Sequence, residues 1–173
     1  EKNQPNTHCY IGECFEKLEN LAEAEKSFQI ALSMNETIQE GLVGMAIVKD
    51  KMNRTIESVP YIEKANELYP KSSSCWYIAA EVYNKLEWYE DAYSAYSKAD
   101  EFNSKNNIQI ALDFSNFIAE NLSIQEAIDY SEKLEDIQIQ YRLVAYYLYL
   151  GQGKKALIQL EKCLNQNYQA HKD

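Results

Sequence analysis

The sequence has few of the residues that break regular structure, with only 5 Gly and 3 Pro among 173 residues. A sandwich of many short strands needs turn residues every few positions, whereas helices joined by short turns need few, so the scarcity favours helices. Histidine is nearly absent: His8 and His171 stand near opposite ends, and His8 falls in a slot that the repeat described below uses for packing. No H-E-x-x-H motif, zinc-ligand cluster or Cys–His arrangement falls within one hairpin-sized stretch. Gly151-Gln152-Gly153 lacks the third glycine of a phosphate loop and follows a helical pattern, so it reads as a helix–helix turn. The expectation is a chain without catalytic residues, metal or cofactor. There is no apolar run of about 18 residues, so no transmembrane helix is expected.

Basic residues are also in short supply: 17 against 27 acidic ones, a net charge of −10. A nucleic-acid binder gains affinity by neutralising phosphates, and a peripheral membrane protein by meeting anionic lipid, so neither partner is expected. The four cysteines, Cys9, Cys14, Cys75 and Cys163, form no C-x-x-C pair. They read as small, half-buried apolar residues, because a chain that is 46% apolar can build its own core without a disulfide framework. The first residue is Glu1 rather than Met, so the chain reads as an excised piece and its compartment stays unassigned.

What the sequence does have is a period. Ala31, Ala65 and Ala99 are spaced by 34 residues, as are Gly12, Ala46 and Ala80, then Phe28, Ile62 and Tyr96, then Ala24, Ser58 and Ala92. Small residues and aromatics held in fixed slots at this spacing describe paired amphipathic helices that bury their faces against neighbouring pairs. The third copy is the clearest: Trp76, Ala79, Ala80 and Tyr83, followed by Ala92, Tyr96 and Ala99. It resembles the tetratricopeptide-repeat pattern W-x2-L-G-x2-Y followed by A-x3-F, with alanine in the usual glycine slot. The first copy reads Ile11, Gly12, Phe15, Ala24, Phe28 and Ala31, and the second Leu42, Met45, Ala46, Ser58, Ile62, Ala65 and a closing Pro70. Two divergent copies follow. One carries Phe114, Ser115, Ile118, Ala127 and Leu134, and the other Leu143, Val144, Tyr147, Gly151, Ala156, Leu160 and Cys163.

The predicted fold class is therefore all-α, a right-handed superhelical array, or α-solenoid, of about five such hairpins. Residues 1–173 are read as a single array with repeats at about 5–37, 38–71, 72–105, 106–136 and 137–167. Ten helices are expected, at 6–18, 21–34, 38–51, 55–68, 74–86, 89–102, 108–120, 123–135, 137–150 and 153–165. Pro60 is placed near the first turn of the fourth helix, where a missing N–H is tolerated.

The resemblance implies that the first helix of each hairpin lines a concave groove that holds a peptide or protein segment. Stepping along those helices at i, i+4, i+7 and i+8 gives the candidate groove residues Val43 and Ile47, Tyr77, Glu81 and Asn84, Leu112 and Asn116, and Tyr141 and Tyr149. The matching set on the first copy is Cys9, Glu13, Glu16 and Lys17. The groove reads as acidic at its N-terminal end and apolar to aromatic further on. Val43, Ile47 and Tyr141 are either exposed hot-spot residues or covered by neighbouring helices. Some family members grip the terminal carboxylate of heat-shock chaperones with Lys, Arg and Asn; here the corresponding face carries Cys9, Glu13, Val43, Ile47, Tyr77 and Ile78, so that clamp is missing.

Charge is uneven along the chain. Residues 100–136 hold nine acids and two bases, and residues 137–173 five bases and two acids. Glu126, Asp129, Glu132, Glu135 and Asp136 read as an acidic run on one helix, either a solvated face or a docking strip for a basic partner. The last helix carries Ala156, Leu157, Leu160, Cys163 and Leu164, more apolar surface than one face buries, so either further repeats in the parent protein or self-association through the C-terminal hairpin is expected. The functional reading is a non-catalytic protein–protein interaction scaffold. The alternative is a structural or self-assembly segment, or a regulatory domain of a larger protein.

Overall fold

A computed structural model describes residues 4–104 and 107–170, without the side chains of 167–170. The described residues form ten α-helices and no strand. Six make three hairpins in the first part of the chain: α1 Pro5–Lys17 with α2 Leu21–Met34, α3 Gln39–Lys51 with α4 Val59–Leu68, and α5 Ser73–Lys85 with α6 Tyr89–Glu101. Four make two more: α7 Ile108–Asn121 with α8 Ile124–Ser131, and α9 Ile137–Tyr149 with α10 Gly153–Ala170. The chain divides into two compact units, Glu1–Ser104 and Lys105–Asp173, parting at the end of the third repeat.

Within the first unit each hairpin closes on itself, α1 also packs on α3 and α3 on α5, and α2 and α4 pack on the first helix of the following hairpin. The second unit repeats the scheme, with α7 on α9 and α8 on α9. This is how helices with too little apolar surface to stand alone cover one another. The slots read from the 34-residue period are the core of the first unit. Ala24, Ala31, Ala46, Ala65, Ala80, Ala92 and Ala99 are fully buried, and Phe28, Ile62 and Tyr96 fill the space between them. Ser58 takes the small slot that Ala24 and Ala92 occupy elsewhere. Its hydroxyl is completely buried and donates to the carbonyl of Ala46 at 3.0 Å, which removes the cost of a polar atom there.

The turns repeat as well. Glu19, Asn53 and Glu87, again 34 residues apart, all adopt the left-handed conformation, with φ of 58°, 59° and 62°. In each case the following N–H reaches back to a carbonyl in the last turn of the first helix: Asn20 to Phe15, Arg54 to Lys49 and Trp88 to Tyr83, each at 2.9 Å. This is the helix-ending motif in which left-handed backbone ties up the orphaned carbonyls of the last turn. Gly151, with φ of 69°, plays the same part between α9 and α10, and Gln152 N–H meets Tyr147 O at 2.8 Å, so the Gly-Gln-Gly segment is a helix–helix turn.

Three expected helix boundaries shift. Residues 55–58 are a 3-10 turn rather than the start of α4, because the Pro60 ring, in the first turn of α4, cannot follow an unbroken α-helical turn. The eighth helix stops at Ser131 instead of 135, and Leu134 turns in to pack with Ala111, Leu112 and Ile139. The tenth runs on to Ala170. The early end of α8 also dissolves the acidic run expected on one helix. Glu126 and Asp129 lie on α8, while Glu132, Glu135 and Asp136 lie beyond its end. Ser123 and Glu126 form a capping pair, the Asp136 carboxylate accepts from Gln138 N–H at 2.8 Å at the start of α9, and Glu132 accepts from the Tyr147 hydroxyl. Glu126 and Asp136 thus serve helix ends, and Glu132 ties the end of α8 to α9.

Candidate functional site

The first helices of the three hairpins in the first unit, α1, α3 and α5, border an open cavity of about 180 Å³. It is lined by Glu13 and Glu16 from α1, by Gln39, Glu40, Val43, Gly44 and Ile47 from α3, by Ser74 from α5, and by the ring of Phe28 from α2. The spacing of the α3 residues explains the lining: 40, 43, 44 and 47 fall on one stripe of an α-helix.

The floor is apolar and stiff. Phe28 reaches it through a gap left by two glycines. A β-carbon at Gly44 would meet the Phe28 ring at 2.3 Å and one at Gly12 at 2.8 Å, so only glycine lets α1 and α3 close over this ring. The rim is acidic and polar. Gln39 donates from Nε2 to Ser72 Oγ at 3.2 Å and to Ser74 Oγ at 3.4 Å, which closes one end. At the other end Lys51 bridges Glu16 at 2.6 Å and Glu19 at 3.4 Å, and Lys85 bridges Asp50 at 2.9 Å, tying the three helices together. The negative field reaches the core beneath. Burial first, then the charges of Glu40 and Glu13, push the Cys9 thiol up to about 11, and burial together with Glu40 raises that of Cys75.

The candidate groove residues fall into three groups. Val43 and Ile47 are half-buried in the cavity wall. Tyr77, Glu81 and Asn84 lie further along α5. Tyr77 meets Tyr96 edge-on with ring centres 6.4 Å apart, and the Tyr96 hydroxyl donates to Glu81, so both are engaged in closing the third hairpin. In the second unit Tyr141 and Tyr149 are exposed, Tyr149 at 79%, while Asn116 accepts from the Tyr146 hydroxyl at 3.4 Å. Leu112 is a correction: it is buried with Ala111 and Ile139 in the core of the second unit, 9% exposed, rather than on an open groove face. Cys9, read as part of the first copy's groove face, is likewise a core residue, whereas Cys14, expected half-buried, is exposed. All four cysteines are free thiols. Gln39, Glu40 and Ser74 line the cavity without being candidates from the sequence. Glu40 is accessible to the same reasoning, since it precedes Val43 and Ile47 on one helical stripe, but a stripe begun at Val43 starts a turn too late.

Among the described residues no group of His, Cys, Asp or Glu is arranged to hold a metal ion, and no helix is long and apolar enough to cross a membrane.

Geometry of this kind defines a class, the stacked helical-hairpin proteins, and comparison with known proteins specifies the kind of hairpin. Residues 73–106, the third hairpin, match the model of the tetratricopeptide repeat. The chain also has the fold of solved proteins, some of them described as TPR proteins. One is MamA, at a TM-score of 0.74 and 15% identity, covering 99% of this chain and 96% of its own. YrrB, described as a TPR protein with an unusual peptide-binding site, superposes at 0.67 with 19% identity over 95% of this chain and 87% of its own. TTC0263, a thermophilic TPR protein of Thermus thermophilus, does so at 0.68 with 21% identity over 94% and 91%. No curated protein matches the chain by sequence. The fold class expected from the 34-residue period, all-α hairpins of the tetratricopeptide-repeat kind, is thus the one the chain has.

Proposed function

We propose that this chain is a protein-interaction scaffold, without catalysis of its own, that holds a peptide or protein segment against the first helices of its hairpins. The observation that carries the reading is the cavity between α1, α3 and α5, where Val43 and Ile47 form an apolar wall that no other helix covers completely. YrrB, described as having a peptide-binding site on the same fold at low identity, gives the reading a precedent. A displayed random-peptide library, selected on the wild-type chain and on Ile47→Glu, tests it. Peptides enriched on the wild type and lost on Ile47→Glu are expected, with circular dichroism showing the variant still helical. The milder Val43→Thr variant, expected to weaken the same peptides, guards against loss through misfolding. Enrichment of nothing, or of peptides indifferent to both substitutions, sinks the reading.

A second reading, self-association through the last hairpin, is favoured by one feature of the second unit. Leu148, Tyr149, Leu157, Ile158 and Leu164 on α9 and α10 are each more than half exposed. Leu157 and Leu164 lie seven residues apart and so share a face. Sedimentation across a range of concentrations decides it. A mass that rises with concentration in the wild type and not in Leu157→Glu supports the reading, and a constant monomer mass ends it.

A further inference from the structure

We propose that the cavity between α1, α3 and α5 selects a cationic segment, one that sets Lys or Arg side chains on its rim and a short aliphatic side chain on its floor. The inference rests on the binding reading above and deepens it. Among the described residues three carboxylates line the cavity, those of Glu13, Glu16 and Glu40, and no Lys or Arg does. Glu16 is already paired with Lys51 at 2.6 Å. Among the ion pairs of the described residues, none reaches Glu13 or Glu40, so the one cation that these pairs show at the cavity lining, Lys51, is engaged by Glu16 and Glu19 and leaves two carboxylates of the lining without an ion pair. Beside them Phe28, Val43, Gly44 and Ile47 give the cavity an apolar lining.

An occupant of this space gives up part of its own hydration and takes part of the rim's. A carboxylate there meets two unbalanced like charges at close range, and a neutral polar side chain compensates neither. A lysine or arginine compensates both, at partial burial where Coulomb interactions exceed their value in bulk water. The aliphatic stem of either side chain also extends over Val43 and Ile47 while its charged head stays at the rim.

The test uses three matched pools of short peptides, identical in their randomised Ala, Val, Leu and Ser positions and differing at two fixed positions that carry Lys, Gln or Glu. Retention is measured on the immobilised full chain at low salt and at about 0.3 M salt, where the Debye length is shorter than 10 Å. The Lys pool is expected to be held roughly tenfold better than the Gln pool, and the Glu pool least. That advantage falls with salt and disappears in the Glu13→Gln, Glu40→Gln double variant, whose substituted residues are in none of the ion pairs of the described residues. Ile47→Glu reduces the Gln pool's retention as well. If all pools bind alike and Ile47→Glu still weakens them, charge selection is overturned while the scaffold reading stands. If the Lys pool binds best but the double variant keeps the preference, the cations are recognised elsewhere and the inference fails. If no pool is retained, the inference fails, and the library selection decides whether the scaffold reading fails with it.

Discussion

The ring of Phe28 lies so close to the backbone of Gly44 that a β-carbon on that glycine would stand 2.3 Å from it. The aromatic ring of the first hairpin is thereby inserted into the second, and its edge becomes the floor of the cavity. Packing and the shape of the proposed site meet at one contact: the glycine that lets α3 approach also brings the Phe28 ring into the cavity lining.

Gly44→Ala weighs two effects against each other. In a helix interior Ala is favoured over Gly by about 1 kcal/mol, which works for the substitution. Against it, Phe28 is fully buried and cannot swing aside, so the added methyl overpacks a tight site at a cost of typically about 1–3 kcal/mol. The clash should win, and urea denaturation should show a net loss of about 1 kcal/mol or more. Shrinking the ring with Phe28→Leu in the same chain should make Gly44→Ala less harmful than it is alone. A Gly44→Ala variant as stable as the wild type would mean the ring is not held as described.

Gly151 is the opposite case, since nothing lies within 4 Å of a β-carbon placed there but its φ is +69°. Space is free and conformation is not. Gly151→Ala should cost about 1 kcal/mol through left-handed backbone strain alone. The converse change, Glu87→Gly, relieves the same strain at a φ of 62° and should leave the chain at least as stable. Thermal unfolding of the two variants beside the wild type checks both signs.

These two glycines show how far the sequence can be read. Positions whose side chains fill space, such as Ala31, Ala65, Ala99 and Phe28, announce themselves because packing restricts residue size. The left-handed turns at Glu19, Asn53 and Glu87 share the same period but carry no glycine, so composition gives no sign of them. Leu112 reads wrongly for a related reason. On α7, Ile110, Ala111, Leu112, Phe114, Phe117 and Ile118 are all buried, and a helix apolar nearly all round has no readable outer face. In the candidate site, Val43 and Ile47 are legible by helical spacing. That no ion pair of the described residues reaches Glu13 or Glu40 is not, because it depends on where Lys51 and Lys85 go.

Acid should weaken the first unit in a defined window. Arg54 and Lys49 hydrogen-bond the Glu57 carboxylate and hold it at about 2, below its ordinary value of 4.5. A depressed folded-state value means the unfolded chain binds the proton first. The stabilisation is therefore complete above about 4.5 and is lost as the pH falls through about 2. Glu57→Gln should flatten the pH dependence of stability across that interval. Since Glu57 and Arg54 are partly exposed, added salt should shrink the difference between the two proteins. A stability–pH curve identical for wild type and Glu57→Gln would show that this network contributes nothing.

Thiol reactivity should single out one cysteine. Cys14 is exposed, while Cys9, Cys75 and Cys163 are buried with their thiols raised by burial, Cys9 to about 11. The thiolate is the reactive form, so both access and ionisation protect these three. A chromogenic disulfide reagent at neutral pH should count one fast thiol in the native chain and four in denaturant. Cys14→Ser should abolish the fast one. Rapid reaction of a second thiol would show that the Cys9 or Cys75 core opens on the timescale of the assay.

In the second unit the corresponding test is a buried hydroxyl cluster. Ser115 Oγ lies 2.8 Å from Ser131 Oγ and 3.0 Å from the Tyr146 hydroxyl, with both serines fully buried between α7, α8 and α9. Ser115 is the shared member, so removing it affects both neighbours, whereas Tyr146 keeps Asn116 at 3.4 Å as a second partner. Leaving a buried hydroxyl unsatisfied costs about 1–3 kcal/mol, so Ser115→Ala should destabilise the chain within that range. Tyr146→Phe should cost less, because Ser115 and Ser131 still satisfy each other. The double variant should then cost less than the two single losses added together, since the substitutions remove one shared interaction. Strict additivity in that cycle would mean the three hydroxyls do not act as a cluster.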